Sequence, residues 1–325
     1  MRNFPIRAQL LTALLLLGAT AATVDAQTYP AKPIRYLVPY AAGGGTDVLT
    51  RIIAQKLGAT WNVPVVVENR TGASGLIGTE MVALAAPDGY TMLMAINSHA
   101  INASLFSKLP YDPIKDFAPV ILVAISPNVL TVHPSSPAHT VKELISLAQS
   151  QPGKLTYASG GPGSGSNLAG ELFKMMANVN IVEVPYKGGG PALNDLLGGQ
   201  VSMSFVVLQT ALPYIASGKL RALAVTSATR TPFAPEILTV AASGLPGYDV
   251  FSWYGTLAPA ATPWEIINKW NAEISKILAM PDVKERLTAL GMEAKGGSPQ
   301  EFDQFLRSDW KTWDKLIKSI GIRAQ

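Results

Sequence analysis

Short apolar runs alternate with segments of helical periodicity along most of this chain. Ile34 to Tyr40 reads as a strand. Val48, Leu49, Ile52, Ile53 and Leu57 then recur at helical spacing, with Asp47 as the expected N-cap and Gly58 as the stop. Val63 to Glu68 and Tyr90 to Ile96 predict two further strands, which completes a βαβαβ-like unit. Phe117 to Ile125 and Asn128 to His133 read as two long strands with no helix between them. A second alternating stretch follows. It has helices at Val141 to Ala148 and Leu168 to Met176, strands at Leu155 to Ala158 and Ile181 to Val184, and a short helix at Leu193 to Leu197 before Gly198. Val201 to Leu208, Leu220 to Thr226 and Val250 to Leu257 are strand-like, and the tail carries helices at Trp264 to Met280, Pro281 to Leu290 and Pro299 to Ile320.

Alternation of this kind predicts an α/β fold with mainly parallel strands. The two alternating stretches predict two domains. The helical tail is expected to pack back on the first, making it discontinuous: residues 27–124 with 252–325, and residues 125–251 as the second. No repeat of fixed period and no low-complexity tract interrupts the pattern.

The first 26 residues stand apart. Arg2 and Arg7 precede an apolar stretch from Leu10 to Ala22, and Val24-Asp25-Ala26 supplies small residues for cleavage, which reads as a secretory signal peptide. No later segment offers the uninterrupted apolar run of about 18 residues that a membrane span needs. The chain contains no cysteine, so neither a disulfide nor a lipid on an N-terminal cysteine is available, and stability must come from core burial. The net charge is +4; Arg2 and Arg7 subtract two and Asp25 restores one, leaving +3 on the expected mature chain. That balance is mild and its basic residues are scattered, which argues against nucleic acid as a partner.

Three strand-like runs break into glycines and then into a helix: at Gly43-Gly44-Gly45-Thr46-Asp47, at Ser159-Gly160-Gly161-Pro162-Gly163-Ser164-Gly165-Ser166, and at Lys187-Gly188-Gly189-Gly190. A helix N-terminus offers unpaired N–H groups and partial positive charge, and glycine lets a ligand approach that backbone, so each turn is a candidate anion cradle. The first turn fails as a dinucleotide fingerprint because position 48 is valine, although Glu68 lies about 20 residues downstream. No nucleoside-triphosphate loop is present, so no cofactor is expected. The serines of the second turn raise the alternative of an exported serine hydrolase acting on a carboxylic ester. The sequence lacks a G-x-S-x-G elbow, and its histidines are only His99, His133 and His139. These histidines have no metal-like partners, so no metal site is expected. Trp310 and Trp313 share a helix face suited to packing. Lys187 places a cation at the mouth of the third turn, where it would draw carboxylates in.

Taken in order, several segments resemble the tripartite tricarboxylate transporter receptors, the TctC or Bug family of periplasmic solute-binding proteins. They are Tyr29-Pro30-x-Lys32-Pro33-Ile34-Arg35, Val38-Pro39-Tyr40 with Gly43-Gly44-x-x-Asp47, Val67-Glu68-Asn69-Arg70, Pro87-Asp88-Gly89-Tyr90-Thr91, Leu168-Ala169-Gly170-Glu171-Leu172-Phe173, Val184-Pro185-Tyr186-Lys187-Gly188 and Gly218 to Thr226. The resemblance implies a type II-like, two-domain periplasmic binding fold of the Venus-flytrap kind, with the ligand in the cleft between domains. It implies no catalysis, a monomer, and delivery of a small carboxylate, aliphatic or aromatic and dicarboxylates included, to a pair of membrane permease subunits. The ligand contacts it implies are Tyr40, Gly43, Gly44, Gly45, Thr46 and Asp47 in the first loop and Ser98 nearby. In the second domain they are Ser159, Gly161, Gly163, Ser164, Ser166, Asn167, Tyr186, Lys187 and Val206. Two departures matter. Val206-Val207 stands where the family often has an acidic residue, and Asn167 where it often has a histidine. Loss of that carboxylate removes the partner of a ligand ammonium, so an amino acid is disfavoured as ligand.

Overall fold

The computed structural model describes residues 29–106, 108–161, 164–186 and 188–321, so the expected signal peptide lies outside the described residues. Ten strands form one curled sheet: β1 (Ile34–Val38), β2 (Val65–Asn69), β3 (Thr91–Ile96), β4 (Phe117–Val132), β5 (Thr156–Ser159), β6 (Val182–Pro185), β7 (Met203–Val207), β8 (Arg221–Val225), β9 (Phe251–Pro259) and β10 (Glu293–Gly296). Among the described residues ten α-helices cover it: α1 (Gly45–Trp61), α2 (Leu76–Ala83), α3 (Ser98–Leu105), α4 (Val141–Ser150), α5 (Gly165–Ala177), α6 (Gly189–Leu197), α7 (Leu208–Ala216), α8 (Trp264–Ala279), α9 (Pro281–Ala289) and α10 (Pro299–Ile320).

The strand order is β2-β1-β3-β9-β4-β7-β5-β6, with β8 and β10 also paired to β4. β1 runs parallel to β2 and β3, and β5 runs parallel to β6 and β7, as alternation with helices predicts. The five pairings made by β4 and β9, with β3, β7, β8, β10 and each other, are antiparallel, so the sheet is mixed where mainly parallel strands were expected. β3 is buried almost throughout, with Met92, Leu93 and Met94 fully covered, which explains a continuous apolar run in place of alternation.

β4 departs from expectation. The two strands expected at 117–125 and 128–133 are one strand of 16 residues. Residues 117–127 pair with β9, and residues 128–132 pair with β7 and β8. Pro127 has no N–H to donate, and it falls where the strand changes partners. Here a proline marks an exchange of neighbours within a strand.

Helix α1 also differs. It runs through Gly58 to Trp61 and stops at Asn62, whose φ of 53° supplies the left-handed cap. Its N-cap is Gly44, which places Asp47 in the first helical turn. α2 fills the place between the second and third strands that a βαβαβ-like unit implies, whereas the sequence pattern does not predict α3, α7 or β10. α7 starts at Leu208 directly after β7, so the strand expected to reach Leu208 ends at Val207. β10 is the polar segment Glu-Ala-Lys-Gly, which carries no apolar signal and forms because it adds to an edge of β4.

The helical tail packs against early elements, α8 on α1 and α10 on α3. Trp270 of α8 is fully buried, edge-on to Tyr36 at 5.6 Å and to Trp61 at 5.0 Å between ring centroids. Helix α10 opens with a capping box between Ser298 and Glu301, and Phe302, Leu306, Trp313, Leu316 and Ile317 form its buried stripe. Among the described residues, no helix is long and apolar enough to cross a membrane.

Candidate functional site

The first glycine turn is tied down from within. Asp47 is buried, and its carboxylate accepts from the Gly43 amide at 2.9 Å, Arg51 Nε at 3.0 Å and Asn69 Nδ2 at 3.0 Å. Burial raises its pKa, but these hydrogen bonds outweigh burial and hold it below the ordinary aspartate value. Asn69 Nδ2 also donates to the Tyr40 carbonyl at 3.0 Å. The Tyr40 hydroxyl bonds the Ser98 hydroxyl, and burial raises the phenol's pKa. Asp47 therefore fixes the loop, while the exposed backbone of Gly43, Gly44 and Gly45 remains on the surface and Thr46 is buried.

The second turn is built from neutral hydroxyls. Ser164 caps α5 and accepts from the Asn167 amide at 3.2 Å, and Ser166 Oγ accepts from the Gly160 amide at 2.9 Å. The two hydroxyls lie 3.2 Å apart. Ser159 points the other way: it is fully buried, donates to Glu183 Oε1 at 2.5 Å and accepts from the Gly161 amide at 3.0 Å. Asn167 is likewise fully buried and donates from Nδ2 to the same Glu183 oxygen at 2.9 Å. Glu183 on β6 thus clamps the back of this turn. Gly163 and Lys187 lie outside the described residues.

In the third turn the Tyr186 hydroxyl donates to Asp195 Oδ2 at 2.5 Å, and this bond to a carboxylate, helped by burial, pushes the phenol up to about 12. Gly188 has φ 109°, a conformation open to glycine, and leads into α6.

A cavity of about 350 Å³ brings the second and third turns together. Ser164, Gly165 and Ser166 line it from the N-terminus of α5, and Gly188, Gly189 and Gly190 from the N-terminus of α6. Ala192, Leu193, Phe205, Val206 and Val207 give it an apolar wall, and Ser204 and Thr210 add hydroxyls. No described lining residue is acidic or basic. Two helix N-termini converge there, so the positive end is made of backbone dipoles.

Three residues that the sequence reading did not single out belong here. Asn128 is 3% exposed and lines the cavity, and its side-chain amide has no hydrogen-bond partner among the described residues. Ser252 also lines it, and its hydroxyl has none either. Tyr254 lies two residues farther on the same face of β9. A side-chain carbon at Gly165 would meet Ser252 Oγ at 3.7 Å, and one at Gly45 would meet the Tyr254 hydroxyl at 4.0 Å. The starts of α5 and α1 therefore both abut one face of β9. Burial pushes the Tyr254 phenol up to about 12. The available signal was a polar residue inside an apolar strand run, such as Asn128 between Pro127 and Val129. Among the described residues no group of three or more His, Asp or Glu side chains could hold a metal ion.

Two parallel α/β units on one sheet, shared crossing strands and a cavity at helix N-termini define the class of periplasmic binding proteins. Residues 49–322 match the tripartite tricarboxylate transporter family receptor, and the chain belongs to that family. It is 36% identical over 307 residues to Protein BugT of Bordetella pertussis, covering 94% of each chain. Among solved structures, R. palustris Rpa4515 with adipate is 38% identical with a TM-score of 0.76, covering 91% of this chain and 99% of that one. MatC (Rpa3494) of Rhodopseudomonas palustris with bound malate is 34% identical with a TM-score of 0.72, covering 89% of this chain and all of that one.

Proposed function

We propose that this protein is an extracytoplasmic solute receptor that binds a small carboxylate at the N-termini of α5 and α6 and delivers it to the permease subunits of a tripartite tricarboxylate transporter. Residues 1–26 direct export to the periplasm. Residues 27–124 with 252–325 form one lobe and 125–251 the other, with the ligand between them. The receptor works as a monomer and performs no chemistry on its ligand. Its similarity to receptors solved with adipate and with malate supports a carboxylate as ligand.

The observation that carries the reading is the cavity itself. Two helix N-termini and the side-chain amide of Asn128, which has no partner among the described residues, meet in a space lined, among its described residues, by neutral side chains alone. An anion is favoured at the dipole ends, and a ligand ammonium finds no described carboxylate on the lining. Hydrogen bonds to a charged group contribute about 1.5–3 kcal/mol each. Three or four of them offset much of the association cost, and micromolar binding needs only about −8 kcal/mol. Ser164 and Ser166 supply hydroxyls, and the amides of the first turn, near Tyr254, close the other side. Contacts from both lobes favour the closed state through differential affinity.

The test is a melting series of the chain from residue 27 onward with adipate, malate, aromatic carboxylates, amino acids and phosphate. A saturable rise with one carboxylate class supports the reading, because a ligand that binds only the native state raises stability by mass action. A rise with phosphate alone overturns it.

A further inference from the structure

β9 shows two faces to the molecule. Ser252 and Tyr254 lie on the ligand side, and Trp253 between them points away and is fully buried. Its indole N–H donates to Asp309 Oδ2 at 2.8 Å, and the indole of Trp313 donates to Asp309 Oδ1 at 2.7 Å. The backbone of the same segment is held by Asn97, which accepts from the Trp253 amide at 2.8 Å and donates to the Phe251 carbonyl at 2.9 Å. Asn97 precedes Ser98, the partner of Tyr40. The rings of Phe302 and Phe305 on α10 pack edge-on against Trp253 at 5.8 and 5.9 Å. One carboxylate on α10 thus grips the binding strand from behind.

An indole N–H donates and never accepts. Each oxygen of Asp309 accepts from one donor of this kind, and a proton on either oxygen would remove the charge and weaken that oxygen as an acceptor. The pair of bonds fits the ionised carboxylate. We propose that Asp309 is a positioning residue of the ligand site, which in its ionised form holds Trp253 and so sets the face that Ser252 and Tyr254 present to ligand.

The surroundings make that ionisation responsive. Burial raises the Asp309 pKa, the two indole bonds pull it back, and Asp249 ahead of β9 adds a further push, leaving it at about 7. The elements packed on α10 are α3, β4, α5 and α8 and, through Trp253, β9, whose one ionisable residue is Tyr254. β4 has no ionisable residue, and the one on α3 is His99, which burial lowers to about 4 while the Pro113 carbonyl pulls it up. α5 carries Glu171 and Lys174, bonded to each other, and α8 carries Glu265, Lys269 and the paired Glu273 and Lys276. On α10 itself Asp303 pairs with Arg307 and Asp314 with Lys318, alongside exposed Glu301, Lys311 and Lys315. Asp249 is itself held by the Ala228 amide at 2.8 Å.

Because the folded state holds this proton more tightly than the unfolded chain, stability contributed by Asp309 falls as pH rises from the ordinary aspartate value toward about 7. Affinity should run the other way, since only the ionised fraction holds the strand. At about pH 6 that fraction is about one tenth, so the apparent Kd should be about tenfold weaker than at about pH 8.

The proposal rests on the carboxylate reading of the cavity, and the experiment separates the two. Adipate affinity is measured from about pH 8 to about pH 6 for the wild type, Asp309→Asn and Asp249→Asn, beside hydrogen exchange of residues 251–255 without ligand. The expected result is about a tenfold loss in the wild type, a flat and weak profile in Asp309→Asn, and a midpoint moved to lower pH in Asp249→Asn. Faster exchange in β9 at the acid end, corrected for intrinsic rate, should accompany it. If Asp309→Asn does not fold, the shifted midpoint of Asp249→Asn carries the test. Equal, pH-independent binding by wild type and Asp309→Asn overturns the role of Asp309. If no variant binds adipate at any pH, the carboxylate reading of the cavity fails, and unchanged β9 exchange across the range would then overturn the Asp309 clasp as well.

Discussion

The turns after β1 and β5 carry the same signature, a strand, a run of glycines and a helix, yet they are held in different ways. At the first turn a buried aspartate gathers three donors from the loop, the helix and the neighbouring strand. At the second, two serine hydroxyls satisfy backbone amides and still border a cavity, while Glu183 fixes the loop from behind. Asp47 takes the Gly43 amide of the first turn into the architecture, whereas at the second turn neutral hydroxyls leave the helix end facing a cavity. The same glycine pattern therefore builds a turn tied to an internal carboxylate in one place and a helix end that borders a cavity in the other.

That contrast can be broken most forcefully at Asp47. Asp47→Ala should cost about 3 kcal/mol of stability, because it strands several donors around a buried site. Chemical denaturation would show this. With Asp47→Asn, the difference from wild type should be fully present above the unfolded aspartate pKa of about 3.9 and be lost as pH falls from there through the depressed folded value.

At the second turn the balance should invert. Ser164→Ala/Ser166→Ala should lose about 1 kcal/mol of stability through the missing cap but tenfold to a hundredfold in carboxylate affinity, about 1.4–3 kcal/mol. Calorimetry with adipate or malate would measure it, and unchanged affinity would refute the role given to these hydroxyls.

The smallest change sharpens the apolar wall. Val207 is 39% exposed and lines the cavity, so Val207→Glu should fold normally. It should weaken dicarboxylates about tenfold while admitting amino dicarboxylates such as aspartate, as competition between the two ligand types would reveal.

Much of this was legible beforehand. The alternation gave the parallel units, and two of the three glycine turns, those at α5 and α6, marked helix N-termini that the fold brings to one cavity, whose described lining includes no residue of the first turn. Other features were hidden for physical reasons. α3, Ser-His-Ala-Ile-Asn-Ala-Ser-Leu, has a weak apolar stripe and takes its stability from α10, which no local pattern reports. Ser159 and Asn167 looked like ligand donors because their chemistry suits the role. Their direction is set by Glu183, 24 and 16 residues away, so sequence spacing could not disclose that both turn inward. Asn128 and Ser252 sit in strand runs where only the pairing of β4 with β9, Ser126 opposite Ser252, places them beside α5.

The pairing of β4 with β9 also bears on how the chain folds. β9 inserts between β3 and β4, although Phe117 must wait for Pro259 to find its place. Until the last quarter of the chain is present, β3 and β4 each keep an unpaired edge, and the parallel strands of the first unit lack their closing neighbour. Long-range closure of this kind is slow because loop entropy is spent before the contacts form. Once made, it ties both groups of strands to a single shared pair, so unfolding should proceed as one cooperative transition across the whole sheet.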